Sequence, residues 1–236
     1  MSLSEIFSDA IKYPISDITN FAIVGVIAVL AGISSIGNAF TDSSVASLLL
    51  SIIGLIFALV LGGYAVDVIK KGIENSSEFP NLDLKRNIIN GIKSLIIGIV
   101  YFIIPFIIVA LLAVITGVGL GVDHILASFG IVTIIAIIVF FIFAIFEMIA
   151  LARFADTDDL GAALSFGEVF EDVKRIGIGK IIGFLVIAFV IAVIVYIIAG
   201  LFGFIPVVGI IITTFLAGAF LTLFYYRALG LLYADA

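Results

Sequence analysis

Six uninterrupted apolar stretches, each about 20 residues long, dominate this 236-residue sequence. At a rise of ~1.5 Å per residue, 20 helical residues cover the ~30 Å hydrocarbon core of a bilayer. The stretches are rich in Ile and Val, but an open strand edge in lipid would leave backbone groups unpaired, so helices are expected. The sequence therefore predicts six membrane-spanning helices, at Phe21–Phe40, Val45–Val66, Leu95–Ile115, Phe129–Ala152, Ile181–Phe204 and Val207–Leu229.

Composition also favours a membrane protein, since 64% of the residues are hydrophobic and only 12% are charged. Soluble domains are about 45–50% apolar and about 25% charged. A soluble chain with this composition would expose large apolar patches to water. We therefore expect residues 1–236 to form one integral-membrane domain, located in the plasma membrane as a multi-pass protein.

All 11 Lys and Arg residues fall on one side of the predicted spans. Lys12 precedes span one, and Arg227 lies near the end of span six. The connection between spans two and three carries Lys70, Lys71, Lys85, Arg86 and Lys93. The connection between spans four and five carries Arg153, Lys174, Arg175 and Lys180. The other three connections carry none. Because Lys and Arg in short loops remain cytoplasmic, both termini are predicted to be cytoplasmic.

An internal repeat relates Ser2–Asp9 to Ser165–Asp172 at a constant offset of 163 residues. Both copies begin with Ser-x-x-Glu, the pattern of a capping box at a helix N-terminus. Each copy continues as a short amphipathic helix, and a fainter third copy precedes span three. The all-α fold is therefore predicted to contain three parallel units, each an amphipathic helix followed by a helical hairpin, over about residues 1–66, 67–152 and 153–236.

Aromatic residues on these helices and at the inner ends of the spans predict contact with the membrane interface, and the candidates are Phe166, Phe170, Tyr64 and Tyr225. Two placements of the amphipathic helices remain open. They lie flat in the headgroup boundary, or they pack on the inner end of the bundle. Either placement offers a surface for membrane lipid, for another membrane protein or for a second copy of the chain.

Glu147 and Arg227 lie inside spans four and six, at similar depths near the inner end. An ionisable residue within a membrane helix is costly and is a functional hypothesis by default. We expect the two side chains to form an intramembrane ion pair. The pair either locks two helices together or takes part in proton or substrate movement. As a third alternative, Glu147 extends to the surface.

Several kinds of site are not expected. Cysteine is absent and histidine occurs once, so a disulfide, a zinc–thiolate site and a multi-histidine metal site are excluded. The net charge of −6 argues against nucleic acid as a partner. The spans hold no Ser/His/Asp, Cys/His or paired-carboxylate arrangement. We therefore expect no enzymatic activity, no cofactor and no metal.

Several segments together resemble a family of archaeal, mainly methanogen, membrane proteins catalogued as a domain of unknown function. The segments extend over nearly the whole chain and are Ile11–Pro14, Gly62–Tyr64, Val68–Lys70, Glu78–Pro80, Leu151–Phe154, Ala162–Glu168, Ile205–Gly209 and Arg227–Tyr233. The resemblance implies a multi-helix protein of an archaeal cell membrane. It implies no activity and no site residues, because none is established for the family.

These observations favour a non-enzymatic membrane module that engages lipid or a membrane-protein partner through its cytoplasmic face. The alternative is a transporter or permease for a small or apolar solute, with Glu147 and Arg227 near its inner gate. A transporter would need a polar cavity at mid-membrane depth, and its candidate lining residues are Ser34, Ser35, Asn38 and Thr214.

Overall fold

The computed structural model describes residues 1–37, 43–120, 125–205 and 208–235, without the side chains of residues 117–120 and 125–129. The described part of the chain is helical and contains no strand, which confirms the all-α prediction. The helices are α1 Leu3–Lys12, α2 Ile18–Ala31, α3 Ile33–Gly37, α4 Ser44–Ile73, α5 Leu84–Leu120, α6 Ile125–Thr157, α7 Leu160–Leu164, α8 Phe166–Ile176, α9 Ile178–Gly200 and α10 Val208–Ala234.

Within the described residues, five helices are long and apolar enough to cross a membrane, namely α4, α5, α6, α9 and α10. The first predicted span differs from them. Helix α2 has 14 residues, or ~21 Å of rise, and it ends at Gly32 before the short α3. Among the described residues, a sixth span is obtained if two helical segments, Leu3–Ile15 and Ile18–Ala31, are counted as one broken span. The axes of these two segments are bent by 84° to each other.

The three predicted amphipathic segments differ from one another in the structure. The first is the separate helix α1, and the second predicted copy is the separate helix α8. The fainter third copy is the N-terminal part of α5, which continues into the membrane span without a break. This copy and span three therefore form one helix, and the three-unit repeat stays a prediction.

Only one of the two predicted capping boxes forms. In α1 the Ser2 hydroxyl accepts from the Glu5 amide and the Glu5 carboxylate accepts from the Ser2 amide. In α8 the Ser165 side chain makes no capping hydrogen bond. The other half of the box is also absent, because the Ser165 amide donates to the Ala162 carbonyl oxygen at 3.3 Å and the Glu168 carboxylate pairs with Arg153 at the end of α6.

Two close approaches of backbones fix the centre of the bundle. A Cβ atom on Gly63 of α4 would lie 1.8 Å from the Asn87 carbonyl oxygen of α5. A Cβ atom on Gly230 of α10 would lie 2.2 Å from the Ile69 carbonyl oxygen of α4. Small residues let membrane helices approach in this way, so α4 packs tightly against both α5 and α10.

Buried side chains concentrate in the half of the bundle where α4, α6 and α10 end, for example in Tyr64–Ile69, Met148–Ala152 and Leu223–Leu232. This end also carries all the Lys and Arg residues, and we call it the basic end. In the opposite half, α5 and α6 expose large apolar side chains such as Phe106 and Ile137. The polar contacts that could form a site therefore lie at the basic end.

Candidate functional site

Arg227, near the end of α10, is the most buried cation at the basic end, with 1% of its surface exposed. Its Nε donates to Asp9 Oδ1 of α1 at 2.7 Å. Its Nη1 donates to the carbonyl oxygens of Lys71, at 3.0 Å, and Ser76. The guanidinium also lies over the Tyr13 ring, 5.0 Å from its centroid. Arg227 therefore joins α10 to α1 and to the end of α4.

The predicted ion pair between Glu147 and Arg227 does not form, because Arg227 is paired with Asp9 instead. Glu147 is half-buried on α6. It makes no ion pair or hydrogen bond within the part of the chain that the structure describes. Its electrostatic neighbours are Tyr225 and Tyr226 of α10. The sequence did not reveal the true partner, because Asp9 is 218 residues from Arg227 and reaches it only when α1 packs on α10.

A second charged cluster surrounds Arg153 at the end of α6. Arg153 pairs with Asp172 of α8 at 2.7 Å and also with Glu168. Asp172 accepts a further hydrogen bond from the Tyr233 hydroxyl at 2.8 Å and pairs with Arg175 at 3.1 Å. This cluster attaches α8 to α6 and to the end of α10.

A third cluster attaches the start of α5 to α4. Arg86 donates to Asp67 Oδ2 at 2.9 Å, and the Asn87 side-chain amide donates to the same oxygen at 2.6 Å. Nearby, Lys70 pairs with Asp158 at 2.6 Å. Among the described residues, no group of three or more His, Cys, Asp or Glu side chains could hold a metal ion.

A polar cavity of about 530 Å³ opens at the basic end beside α1. Arg227 and Tyr13 line it, together with Ser4, Glu5, Ser8, Asp9, Lys12 and Ser77. It therefore holds two cations, two carboxylates and several hydroxyl groups. We call it the Arg227 cavity.

An apolar groove of about 440 Å³ is lined by residues of α1, α2, α9 and α10. Its lining includes Ile11, Phe21, Ile194, Ile198, Leu216 and Phe220. Neighbouring residues of α1 contribute to the two spaces, since Ile11 lines this apolar groove and Lys12 lines the Arg227 cavity. Helix α1 therefore separates a polar space from an apolar one.

The predicted interfacial aromatic residues fall into two groups. Phe170 is 45% exposed, stacks on Phe146 and carries the Lys174 ammonium 4.1 Å from its ring centroid. Phe166 is half-buried against Tyr101. Both lie on α8.

The two predicted interfacial tyrosines lie among the helices. Tyr64 is 1% exposed, and its hydroxyl has no partner in the described part of the protein. Its interfacial assignment is therefore wrong, because Tyr64 packs between α2, α4 and α10. Tyr225 is half-buried between Phe184 and Tyr226.

Three of the four polar residues predicted to line a transporter cavity, Ser34, Ser35 and Thr214, line neither of these two spaces. Ser34 and Ser35 lie in α3, where Ser34 is half-buried and Ser35 is exposed. Thr214 of α10 is half-buried. Asn38 lies outside the described residues. The Arg227 cavity lies instead at the basic end, and it was not predicted.

Comparison with known proteins gives one match. The model of a family described as a protein of unknown function, DUF4013, matches residues 46–204. No curated protein and no solved structure matches the chain. The matched region extends from α4 to the end of α9 and includes Arg153, Glu168 and Asp172. Helix α1, Arg227 and Tyr233 lie outside it.

Proposed function

Since the chain belongs to the DUF4013 family, whose function is unknown, we propose a function from the geometry of the basic end. We propose that the protein is a non-enzymatic membrane module that binds a lipid beside α1. The observation that carries this proposal is the position of α1 between the Arg227 cavity and the apolar groove. A lipid has the same two parts, a polar headgroup and an apolar chain.

The depth of the two spaces supports a lipid as the occupant. The apolar groove is formed by membrane-length helices α9 and α10 together with α2. Within a bilayer, such a groove is filled by acyl or isoprenoid chains, since no water is present to fill it. The Arg227 cavity lies at the basic end, where a headgroup is expected.

We further propose that the basic end faces the cytoplasm of the cell, in the plasma membrane, as the positive-inside rule predicts. Single cysteines test this orientation because the chain contains none of its own. With an impermeant thiol reagent on intact cells, Ser43→Cys at the start of α4 should be labelled. Lys85→Cys at the start of α5 should be labelled only after the cells are permeabilised. The reverse pattern would refute the orientation.

A photoreactive lipid tests the lipid proposal directly. The protein is reconstituted with a lipid that carries a diazirine in its chain, illuminated and digested, and the labelled peptides are identified. We expect labelling to concentrate on the groove residues Ile194, Ile198 and Phe220. Exposed residues Ile107 and Ile134, on α5 and α6, provide the matched reference.

Two results would contradict the lipid proposal. Uniform labelling of all lipid-facing helices would show that the groove has no preference for lipid. Protection of the groove by a second copy of the chain or another membrane protein, detected as a cross-linked complex, would show that a protein partner occupies it.

Transport of a small or apolar solute is the second candidate, and one observation favours it. Glu147 is an ionisable side chain within a span that has no ion-pair or hydrogen-bond partner in the described residues, and such groups mark proton or solute pathways. If the protein is a transporter, Arg227 has no gating role, because it forms an ion pair with Asp9. Proteoliposomes with an internal pH dye test it. Identical proton movement for wild type and Glu147→Gln would remove this candidate.

A further inference from the structure

We propose that the Arg227 cavity binds the phosphate diester of a zwitterionic lipid headgroup, with Arg227 Nη2 and Lys12 Nζ as its cationic ligands. This inference rests on the proposed function, because it names the headgroup of the lipid whose chain occupies the apolar groove. Either idea can fail separately, since chain binding and headgroup preference are measured separately.

The Arg227 guanidinium has N–H donors that make no hydrogen bond to any described protein atom. A guanidinium carries five N–H donors. Nε donates to Asp9, and Nη1 donates to the carbonyl oxygens of Lys71 and Ser76. Nη2 has no partner in the described part of the protein, and Arg227 lines the cavity. Phosphate oxygens in the cavity would give the N–H groups of Nη2 acceptors. Guanidinium groups fit phosphate oxygens well.

Lys12 supplies the second cation. It is the last residue of α1, is exposed, and forms no ion pair with any residue that the structure describes. Its long side chain can reach into the cavity that it lines. The hydroxyl groups of Ser4, Ser8 and Ser77 line the same space and provide neutral donors for the remaining phosphate oxygens.

The carboxylates decide which phosphate fits. Glu5 and Asp9 also line the cavity, so its four charged side chains carry no net charge. Such a space lacks the excess positive charge that would attract inorganic phosphate, an anion without a positive group of its own, from solution. A singly charged diester that also carries an ammonium group is complementary, because the phosphate can face Arg227 and Lys12 while the ammonium faces the carboxylates.

The neighbouring positions of Ile11 and Lys12 explain how one molecule occupies both spaces. Ile11 lines the apolar groove and Lys12 lines the cavity. A lipid whose chain lies in the groove therefore has its headgroup at the level of Lys12. The chain supplies the binding energy by burial in the groove, and the headgroup contacts supply the selectivity.

The experiment is native mass spectrometry of the full chain released from nanodiscs that contain two lipids with identical chains. One is a phosphoethanolamine lipid and the other is a glycolipid without phosphate. We expect the phosphoethanolamine lipid to be retained at least five-fold more. Lys12→Ala should reduce this preference about five-fold, since one Lys near a membrane surface contributes roughly that factor. Lys85→Ala, which removes an exposed lysine of α5 outside the cavity, should leave the preference unchanged.

Three outcomes would overturn the inference. Equal retention of both lipids would show that the cavity does not recognise phosphate, although the chain would still bind in the groove as the proposed function requires. Equal effects of Lys12→Ala and Lys85→Ala would show that the cavity is not the headgroup site. Displacement of the lipid by millimolar inorganic phosphate would identify a soluble phosphate as the ligand.

Discussion

Asp9 and Asp172 occupy equivalent positions in the predicted repeat but have different surroundings, and this difference gives a quantitative prediction. The Asp172 side chain is 7% exposed and contacts Arg153, Arg175 and the Tyr233 hydroxyl. The Asp9 side chain is 42% exposed and pairs with one residue, Arg227. Replacing each aspartate by asparagine removes the charge and keeps the shape, so the two variants compare a buried carboxylate with three partners and an exposed carboxylate with one buried partner.

The expected costs follow from exposure. Removing one partner of a buried ion pair typically costs about 3–5 kcal/mol, and an exposed pair contributes about 0–1 kcal/mol. We expect Asp172→Asn to lower the free energy of unfolding by about 3 kcal/mol, the low end of the range, because Glu168 still pairs with Arg153. We expect Asp9→Asn to cost less, about 1 kcal/mol, because Asp9 itself is solvated and the buried Arg227 keeps its acceptors. These are the carbonyl oxygens of Lys71 and Ser76 and the new asparagine oxygen.

Unfolding in mixed micelles by titration with a denaturing detergent, or by steric trapping, measures these differences. Asp156→Asn is the matched control, because Asp156 is exposed and forms no hydrogen bond or ion pair with any described residue. A double-mutant cycle of Asp172→Asn with Arg153→Met isolates the coupling between these two residues. The reasoning is refuted if Asp9→Asn costs as much as Asp172→Asn, or if Asp172→Asn behaves like the control.

Three further predictions concern other parts of the fold. Gly63→Ala should destabilise the protein by about 1–3 kcal/mol or more, because its new methyl group would overlap a backbone carbonyl of α5. Gly98→Ala in α5 serves as the control, since nothing lies within 4 Å of its Cβ position. Tyr64→Phe should leave the free energy of unfolding unchanged or raise it, because the hydroxyl that it removes is buried without a described partner. A loss measured in the same titration would show that this hydroxyl has one. Hydrogen bonds from the Asn20 backbone and side chain hold the pKa of the Asp17 carboxyl below its ordinary value. The stabilisation is therefore complete above about pH 4 and is lost as the pH falls through the lowered pKa, a dependence that Asp17→Asn should abolish in thermal unfolding scans.

Most of the fold could be predicted from the sequence, because the length of an apolar stretch is a strong indicator of a membrane-spanning helix. The six apolar stretches and the all-α class follow from counting residues, and five of the stretches lie in membrane-length helices. The first stretch did not follow the rule, since α2 ends after 14 residues at Gly32. Nothing in hydropathy alone distinguishes a broken helix from a continuous one.

The candidate site could be predicted only in part, because ion pairs depend on which helices meet. The sequence identified Arg227 as an unusual cation but assigned it to Glu147, which lies at a similar depth. The sequence marks Asp9 only as a member of the internal repeat. The one available signal was its equivalence to Asp172, since a conserved position in both copies suggests a shared role in attaching an inner helix. The cavity itself depends on the packing of α1 on α10 and has no local signature.

The three charged clusters together explain why one copy of the predicted repeat is faint. In each cluster an inner segment is attached to the last helix of a hairpin, through the pairs Asp9–Arg227, Asp172–Arg153 and Arg86–Asp67. The first two place the acid on the inner segment and the base on the spanning helix, whereas the third reverses them. Coulomb attraction depends on the product of the charges, so the reversal preserves the contact and removes the sequence identity. The same view explains why α1 packs on α10 at the other end of the sequence. Helix α1 is attached to α10 by an ion pair, just as α5 is attached to α4 and α8 is attached to α6.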